Sequence, residues 1–266
     1  MNHFLQVAID AAREAGALLA TDFGRPKNIS YKGEVDIVTE SDRRSEALIV
    51  DRLRSHFPGH AIVGEEGGAT ATAGARFCWH VDPLDGTTNF AHGYPCFAVS
   101  IGLLEAGEPL VGAVLNPISG ELFTAARGEG AWLEHKRIRV STTEKLASSL
   151  VATGFPTDRR RQSINISYYW EYTLRSHGVR RDGAASLDLC ALACGRFDGF
   201  WEFGLKSWDT AAGMLIVTEA GGMVTDFAGR SYHPGDPECL VTNGRIHSEM
   251  QQVAVDVATR LPRSQS

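Results

Sequence analysis

No apolar run in this 266-residue chain approaches the ~18 residues that a helix needs to cross a membrane. Positive charge is also scarce. There are 26 Lys and Arg against 32 Asp and Glu, a net charge of −6, which argues against a general nucleic-acid binder. Phosphate substrates are not excluded, because bound cations reverse the sign of an acidic site. Cysteine is sparse and unpatterned. Cys78, Cys96, Cys190, Cys194 and Cys239 are odd in number and form no CxxC pair. Cys190 and Cys194 could share a helix face, but no second His or Cys pair lies near them. All five read as free thiols, mostly buried, as suits a reducing cytoplasm. A charged start followed by an apolar core is missing too, so no secretory signal is expected and the location is read as cytoplasmic. What remains is an ordinary globular composition, 43% hydrophobic and 22% charged, long enough for one large domain or two fused lobes.

Residues 4–22 carry Phe4, Leu5, Val7, Ala8, Ala11, Ala12, Ala15, Leu18 and Leu19 at helical spacing, and Gly24 and Pro26 end that helix. Residues 29–38, with Gly33 between, read as a hairpin. Thr39-Glu40-Ser41-Asp42 has the form of a capping box before a helix reaching about His56, with Ala47, Leu48, Ile49, Leu53 and Phe57 on its apolar side. A short strand at 61–63 ends at Gly64-Glu65-Glu66-Gly67, and 67–75 is a Gly/Ala/Thr loop. Close-spaced strands at 97–104, 109–116, 120–126 and 129–140 predict an antiparallel sheet. Beyond about residue 157 helices near 163–175, 186–195, 208–220 and 246–259 alternate with strands near 178–181, 197–202, 222–226 and 238–242, the pattern of an α/β half. The expected division is an α+β lobe over 1–156 and an α/β lobe over 157–266.

The organising stretch is Trp79-His80-Val81-Asp82-Pro83-Leu84-Asp85-Gly86-Thr87-Thr88-Asn89-Phe90. It starts as a strand, breaks at Pro83 and Gly86, and leaves Asp82 and Asp85 at the strand end. The residues that follow open a helix and leave backbone N–H groups free. Such carboxylates also serve as helix caps and turn formers, so each acid alone has a plainer reading. Glu65 fits an exposed acidic turn, Asp209 a helix cap, and Asp42 an acid in a helix's first turn. Taken together, Glu65, Asp82, Asp85 and Asp209 form an all-oxygen set suited to a hard cation such as Mg²⁺. The turn through Pro83 and Leu84 would bring a backbone carbonyl to the same point. A phosphate would then rest on the cations and on the N–H groups of Gly86 and Thr87.

Trp-x-x-Asp-Pro-Leu-Asp-Gly-Thr-Thr-Asn-Phe at 79–90 resembles the first signature of the inositol monophosphatase family. Trp208-Asp209-x-Ala-Ala-Gly, running on to Thr218-Glu219-Ala220-Gly221-Gly222, resembles the second. Gly64-Glu65-Glu66 and Val38-Thr39-Glu40-Ser41-Asp42 match in the family's order. The resemblance spans nearly the whole chain. It implies a layered αβαβα sandwich of mixed sheets, a homodimer, and Mg²⁺-dependent hydrolysis of phosphate monoesters with two to three ions per site and sensitivity to lithium.

Residue by residue, the resemblance makes Glu65, Asp82 and the Leu84 carbonyl ligands of one ion, and Asp82, Asp85 and Asp209 ligands of another. A weaker third ion would use Glu65 again. Thr87, paired with Asp42, would orient and help deprotonate the attacking water. Lys32 falls on the family's mobile hairpin and would act as a lid, although as a bare feature it is a solvated charge. On the substrate side the resemblance points to Asp85, Gly86, Thr87, Gly183, Ala184, Ala185, Glu202 and Asp209. Ala184 departs from the family, where many members carry a small polar residue, and Lys206 stands where members vary.

The implied substrate is a phosphorylated polyol or sugar, with inositol 1-phosphate first. Histidinol phosphate and fructose 1,6-bisphosphate are alternatives within the superfamily. A different class of function also stays open. Some bacterial members join transcription complexes, and Arg159-Arg160-Arg161 and Arg180-Arg181 are short basic runs, although such runs are usually solvated faces.

Overall fold

The computed structural model describes residues 2–25, 29–31, 37–67, 74–156 and 164–260. Lys32, Gly33, most of the 67–75 loop and the Arg159–Arg161 run lie outside the described residues. Two mixed sheets alternate with three helical layers. The first sheet is seven-stranded, in the order β3-β4-β5-β6-β7-β8-β9. Its strands are β3 (Ala61–Gly64), β4 (Phe77–Asp85), β5 (Ala98–Glu105), β6 (Glu108–Leu115), β7 (Leu122–Ala126), β8 (Gly130–Leu133) and β9 (Lys136–Arg137). β3 runs parallel to β4 and every later neighbour is antiparallel. The second sheet has the order β11-β10-β12-β14-β13, from β10 (Leu150–Thr153), β11 (Gly178–Arg180), β12 (Gly199–Phe203), β13 (Met223–Thr225) and β14 (Glu238–Thr242). Its first three strands are parallel and its last three antiparallel. A small ladder pairs β1 (Ile29–Tyr31) with β2 (Ile37–Thr39).

Side-chain alternation along the strands builds the layers. On the first sheet Val99, Ile101, Leu103, Val111 and Ala113 face α1 (His3–Asp22) and α2 (Glu40–His56). Ala98, Val114, Phe123 and Ala125 face the opposite way, onto α5 (Ala185–Ala193) and α6 (Ser207–Glu219). The second sheet repeats the device. Ala152, Phe200 and Val241 look toward α5 and α6, while Val151, Trp201 and Leu240 look toward α4 (Asn165–Arg175) and α7 (His247–Arg260). The result is the expected αβαβα sandwich. Its central helices are apolar nearly all round, as a helix buried between two sheets must be. α6 lies directly on the first sheet, and a Cβ at Gly102 would stand 2.8 Å from the Ala211 Cβ. Among the described residues no helix is long and apolar enough to cross a membrane.

Three sequence expectations change in detail. β4 does not stop at Pro83. It continues to Asp85 through a register shift between Asp82 and Asp85, because a proline at a bulge forfeits no ladder hydrogen bond. The strand expected over 129–140 is two short ones, joined where Glu134 turns with φ 52°. On α2 the buried stripe includes Asp42, Ser45 and Glu46, whereas Ala47 faces solvent.

Candidate active site

The site lies where the bulged end of β4 meets the starts of α2, α5 and α6. The bulge turns Asp82 and Asp85 inward, and both are buried. Asp82 Oδ1 accepts the Leu84 N–H at 3.0 Å, closing the turn through Pro83. Asp85 reaches across to the start of α5. Its Oδ1 accepts from Ala185 N at 3.2 Å, and its Oδ2 from Ser186 N at 2.8 Å and Ser186 Oγ. The N–H groups of Ala185 and Ser186 therefore point at Asp85. Gly86 follows at φ 91°, and a Cβ there would stand 3.0 Å from the Cys96 carbonyl oxygen. Only glycine takes that left-handed turn so close to backbone. It starts α3 (Thr87–Ala91).

Thr87 is the first residue of α3. Its Oγ1 lies 3.0 Å from Asp42 Oδ1 and 3.0 Å from the Leu84 carbonyl oxygen. The hydroxyl has one proton, and a carboxylate is the stronger acceptor. Donation to Asp42 leaves the Leu84 carbonyl free to serve another partner. Asp42 is fully buried, and its second oxygen, Oδ2, accepts from Thr39 N at 2.8 Å and from Thr39 Oγ1. One carboxylate thus caps α2 and holds Thr87.

Two further α2 residues brace the site, and sequence reasoning missed both. Ser45 Oγ donates to the Pro83 carbonyl at 2.8 Å. Glu46 accepts from Glu66 N at 2.8 Å and so fixes the turn carrying Glu65. The signal was present, because Asp42, Ser45, Glu46 and Ile49 recur at helical spacing and put polar groups on the buried face. On the other flank, Asp209 at the start of α6 accepts from Lys206 N at 2.7 Å. His80 Nδ1 and Ser207 Oγ, 2.8 Å apart, tie β4 to α6.

The electrostatics follow from burying acids together. Burial first, then Glu65, Asp85 and Asp209, push the Asp82 carboxyl well above its ordinary range. Burial raises Asp85 to about 6, against the hydrogen bonds from Ser186. Burial and the neighbouring Asp85 lift Asp209 to about 8. Burial also raises Asp42, opposed by Thr39 and Thr87. Such crowding is costly unless a cation offsets it. Among the described residues no three His, Cys, Asp or Glu side chains already close on one point as a finished metal site. The acids stand within electrostatic reach of one another instead. With the Leu84 carbonyl they form an all-oxygen donor set, whose chemistry fits a hard divalent cation.

Beside the acids opens a cavity of about 190 Å³, lined among others by Asp85, Gly183, Ala184, Ala185, Glu202 and Asp209. Glu202, on β12, is buried, with its carboxylate packed against Gly154. Arg181 and Asp188 also line the cavity, and sequence reasoning assigned neither to the site. In the sequence alone, Arg181 reads as part of a short basic run of the kind usually solvated. Its guanidinium instead lies 5.6 Å from the ring centroid of Phe155, another lining residue.

A layered α/β sandwich of this kind is shared with known proteins. The family model described as "Inositol monophosphatase family" matches residues 1–259, and the chain belongs to that family. It is 46% identical over 253 residues to the inositol-1-monophosphatase of Synechocystis sp., covering 94% of this chain and 88% of that protein. It is 48% identical over 237 residues to the Nus factor SuhB of Pseudomonas aeruginosa, covering 86% of this chain and 87% of that one. The solved inositol monophosphatase of Anabaena sp. superposes with a TM-score of 0.86 at 42% identity, over 95% of each chain. These likenesses support a phosphatase.

Proposed function

We propose that this protein is a Mg²⁺-dependent phosphate monoester hydrolase whose principal substrate is inositol 1-phosphate. The observation that carries the reading is the Thr87 Oγ1–Asp42 Oδ1 hydrogen bond of 3.0 Å set beside buried Asp82 and Asp85. Glu65, Asp82, Asp85, Asp209 and the Leu84 carbonyl would hold the two to three cations. Mg²⁺, when bound, supplies Lewis acidity and a water of lowered pKa. Thr87 donates to Asp42, so its oxygen presents lone pairs to that water and accepts its proton's hydrogen bond. Ser45 and Glu46 keep the Pro83 carbonyl and the Glu65 turn in place. The N–H groups of Gly86 and Thr87 are the donors for the phosphate. Glu202, on the cavity's far wall, accepts from the hydroxyls of the leaving alcohol. Histidinol phosphate and fructose 1,6-bisphosphate would meet the same acids and differ at residues 183–206 and in the loops.

The test is phosphate release from inositol 1-phosphate, histidinol phosphate, fructose 1,6-bisphosphate and a nucleotide 3′-phosphate, with Mg²⁺ and with chelator. Metal-dependent preference for inositol 1-phosphate is expected, with inhibition by lithium. Preference for another ester would overturn the substrate assignment, and no metal-dependent release from any would overturn the hydrolase reading. A second reading follows from the 48% identity to a protein named Nus factor SuhB. In it the chain joins a transcription complex, and specific co-purification of RNA polymerase with the tagged full-length protein would support it.

A further inference from the structure

We propose that Asp188 is a specificity-determining residue that accepts a hydroxyl of the leaving alcohol, working beside Glu202 on a substrate bearing neighbouring hydroxyls. The inference rests on the phosphatase reading above and deepens it. Asp188 lies in the first turn of α5, one turn on from Ala185, whose N–H anchors Asp85. Its side chain is 2% exposed and lines the cavity shared by Asp85, Glu202 and Asp209. No described residue donates a hydrogen bond to its carboxylate.

The position is an expensive one for an acid. Burial, then Asp182, Glu202 and Asp85, all oppose its charge. An acid kept only to favour the helix N-terminus would sit at the surface, where it costs little. A buried carboxylate short of donors is satisfied when a ligand brings them. Hydroxyls are such donors. Asp188 and Glu202 offer two acceptors in one cavity, Arg181 adds a donor, and Phe155 and Leu205 give apolar surface for the C–H face of a ring.

The test compares wild type, Asp188→Asn and Asp188→Leu on inositol 1-phosphate and on phenyl phosphate, which carries no hydroxyl. The ratio of the two kcat/KM values is expected to fall about tenfold or more in Asp188→Leu and less in Asp188→Asn, with the loss in KM more than in kcat. An unchanged ratio would overturn the assignment. So would a larger loss on an amino-alcohol phosphate than on inositol 1-phosphate. Should Asp188→Leu fail to fold, the isosteric Asp188→Asn carries the comparison.

A readout without turnover separates this claim from the reading it rests on. Free myo-inositol should raise the melting temperature of wild type more than that of Asp188→Asn. Ligand-free Asp188→Asn should melt no lower than wild type, since it loses a crowded charge. Equal protection of both proteins, or a ligand-free variant that melts lower, would mark Asp188 as structural. Protection that differs as expected while wild type releases no phosphate would leave Asp188 a polyol contact and remove the hydrolase reading instead.

Discussion

The two walls of the site are built on opposite principles. On the wall formed by β4 and α2, nearly every polar group is already engaged. Asp42 holds Thr39 and Thr87, Ser45 holds Pro83, Glu46 holds the Glu66 N–H, and Asp85 holds the start of α5. On the wall formed by α5 and β12, no described residue donates to the Asp188 or Glu202 side chain with hydrogen-bond geometry, and an open cavity lies between them and Arg181. A group that handles the phosphate must be fixed before the reaction, because preorganisation is what lowers the barrier. Groups that recognise the alcohol can wait for their partners, since those partners arrive with the substrate. Under the proposed function, the difference separates the groups that handle the phosphate from those that meet the alcohol.

The comparison can be broken most sharply at Asp82. Asp82→Asn should lower kcat by about 10²–10³-fold or more, the scale of removing a preorganised electrostatic group. It should also melt no lower than wild type without metal, because a crowded buried charge is gone. Near-normal turnover in steady-state assays would contradict the engaged-wall account. Thr87→Ala comes next, with an expected loss of about 10²-fold in kcat, the lower range for a proton-handling group. Thr87→Ser, which keeps the hydroxyl, should recover most of that loss. Failure of Ser to rescue would point to the methyl group and not to the bond with Asp42.

The open wall is tested at Gly154. A Cβ there would run into both carboxylate oxygens of Glu202. Gly154→Ala should therefore raise KM for inositol 1-phosphate several-fold, up to about tenfold, with a smaller effect on phenyl phosphate. Equal effects on the two substrates would remove Glu202 from recognition of the alcohol.

The smallest expected effect is on pH dependence. Asp85 and Asp209 are raised to about 6 and about 8 in the folded chain. Their contribution to stability is therefore fully present below the unfolded value near 4 and is lost as pH rises through about 6 and then about 8. The metal-free protein should melt a few degrees lower at pH 8.5 than at pH 5.5. Mg²⁺ competes with protons for the same oxygens, so its stabilising shift should be larger at pH 8.5. Differential scanning calorimetry of both states at both pH values checks the sign. A larger Mg²⁺ shift at the lower pH would contradict it.

Much of this was legible in the sequence, for local reasons. Helical spacing marked α1, α5, α6 and α7, and the capping pattern at Thr39–Asp42 marked the start of α2. The stretch from Trp79 to Phe90 announced the strand end and the turn because proline, glycine and paired acids have few other uses together. What stayed hidden depends on distant packing. The bulge at Pro83 is set by the register of β4 against β5, which no local pattern encodes. The spacing of Ser45 and Glu46 with Asp42 and Ile49 marks them for the buried face, but what they hold is set only when β4 and the Glu65 turn lie against them. Asp188 resembles a helix-start acid until α5 is sealed between two sheets. Arg181 follows Arg180 in what reads as a solvated run until Phe155 comes to lie beside it.

The most direct test of the central claim is the Mg²⁺ dependence of phosphate release from inositol 1-phosphate, measured in parallel for wild type and Asp82→Asn after treatment with chelator. The account predicts saturable, fully metal-dependent release for wild type and almost none for the variant at any Mg²⁺ concentration. Release that persists in chelator, or that the variant matches, would contradict it.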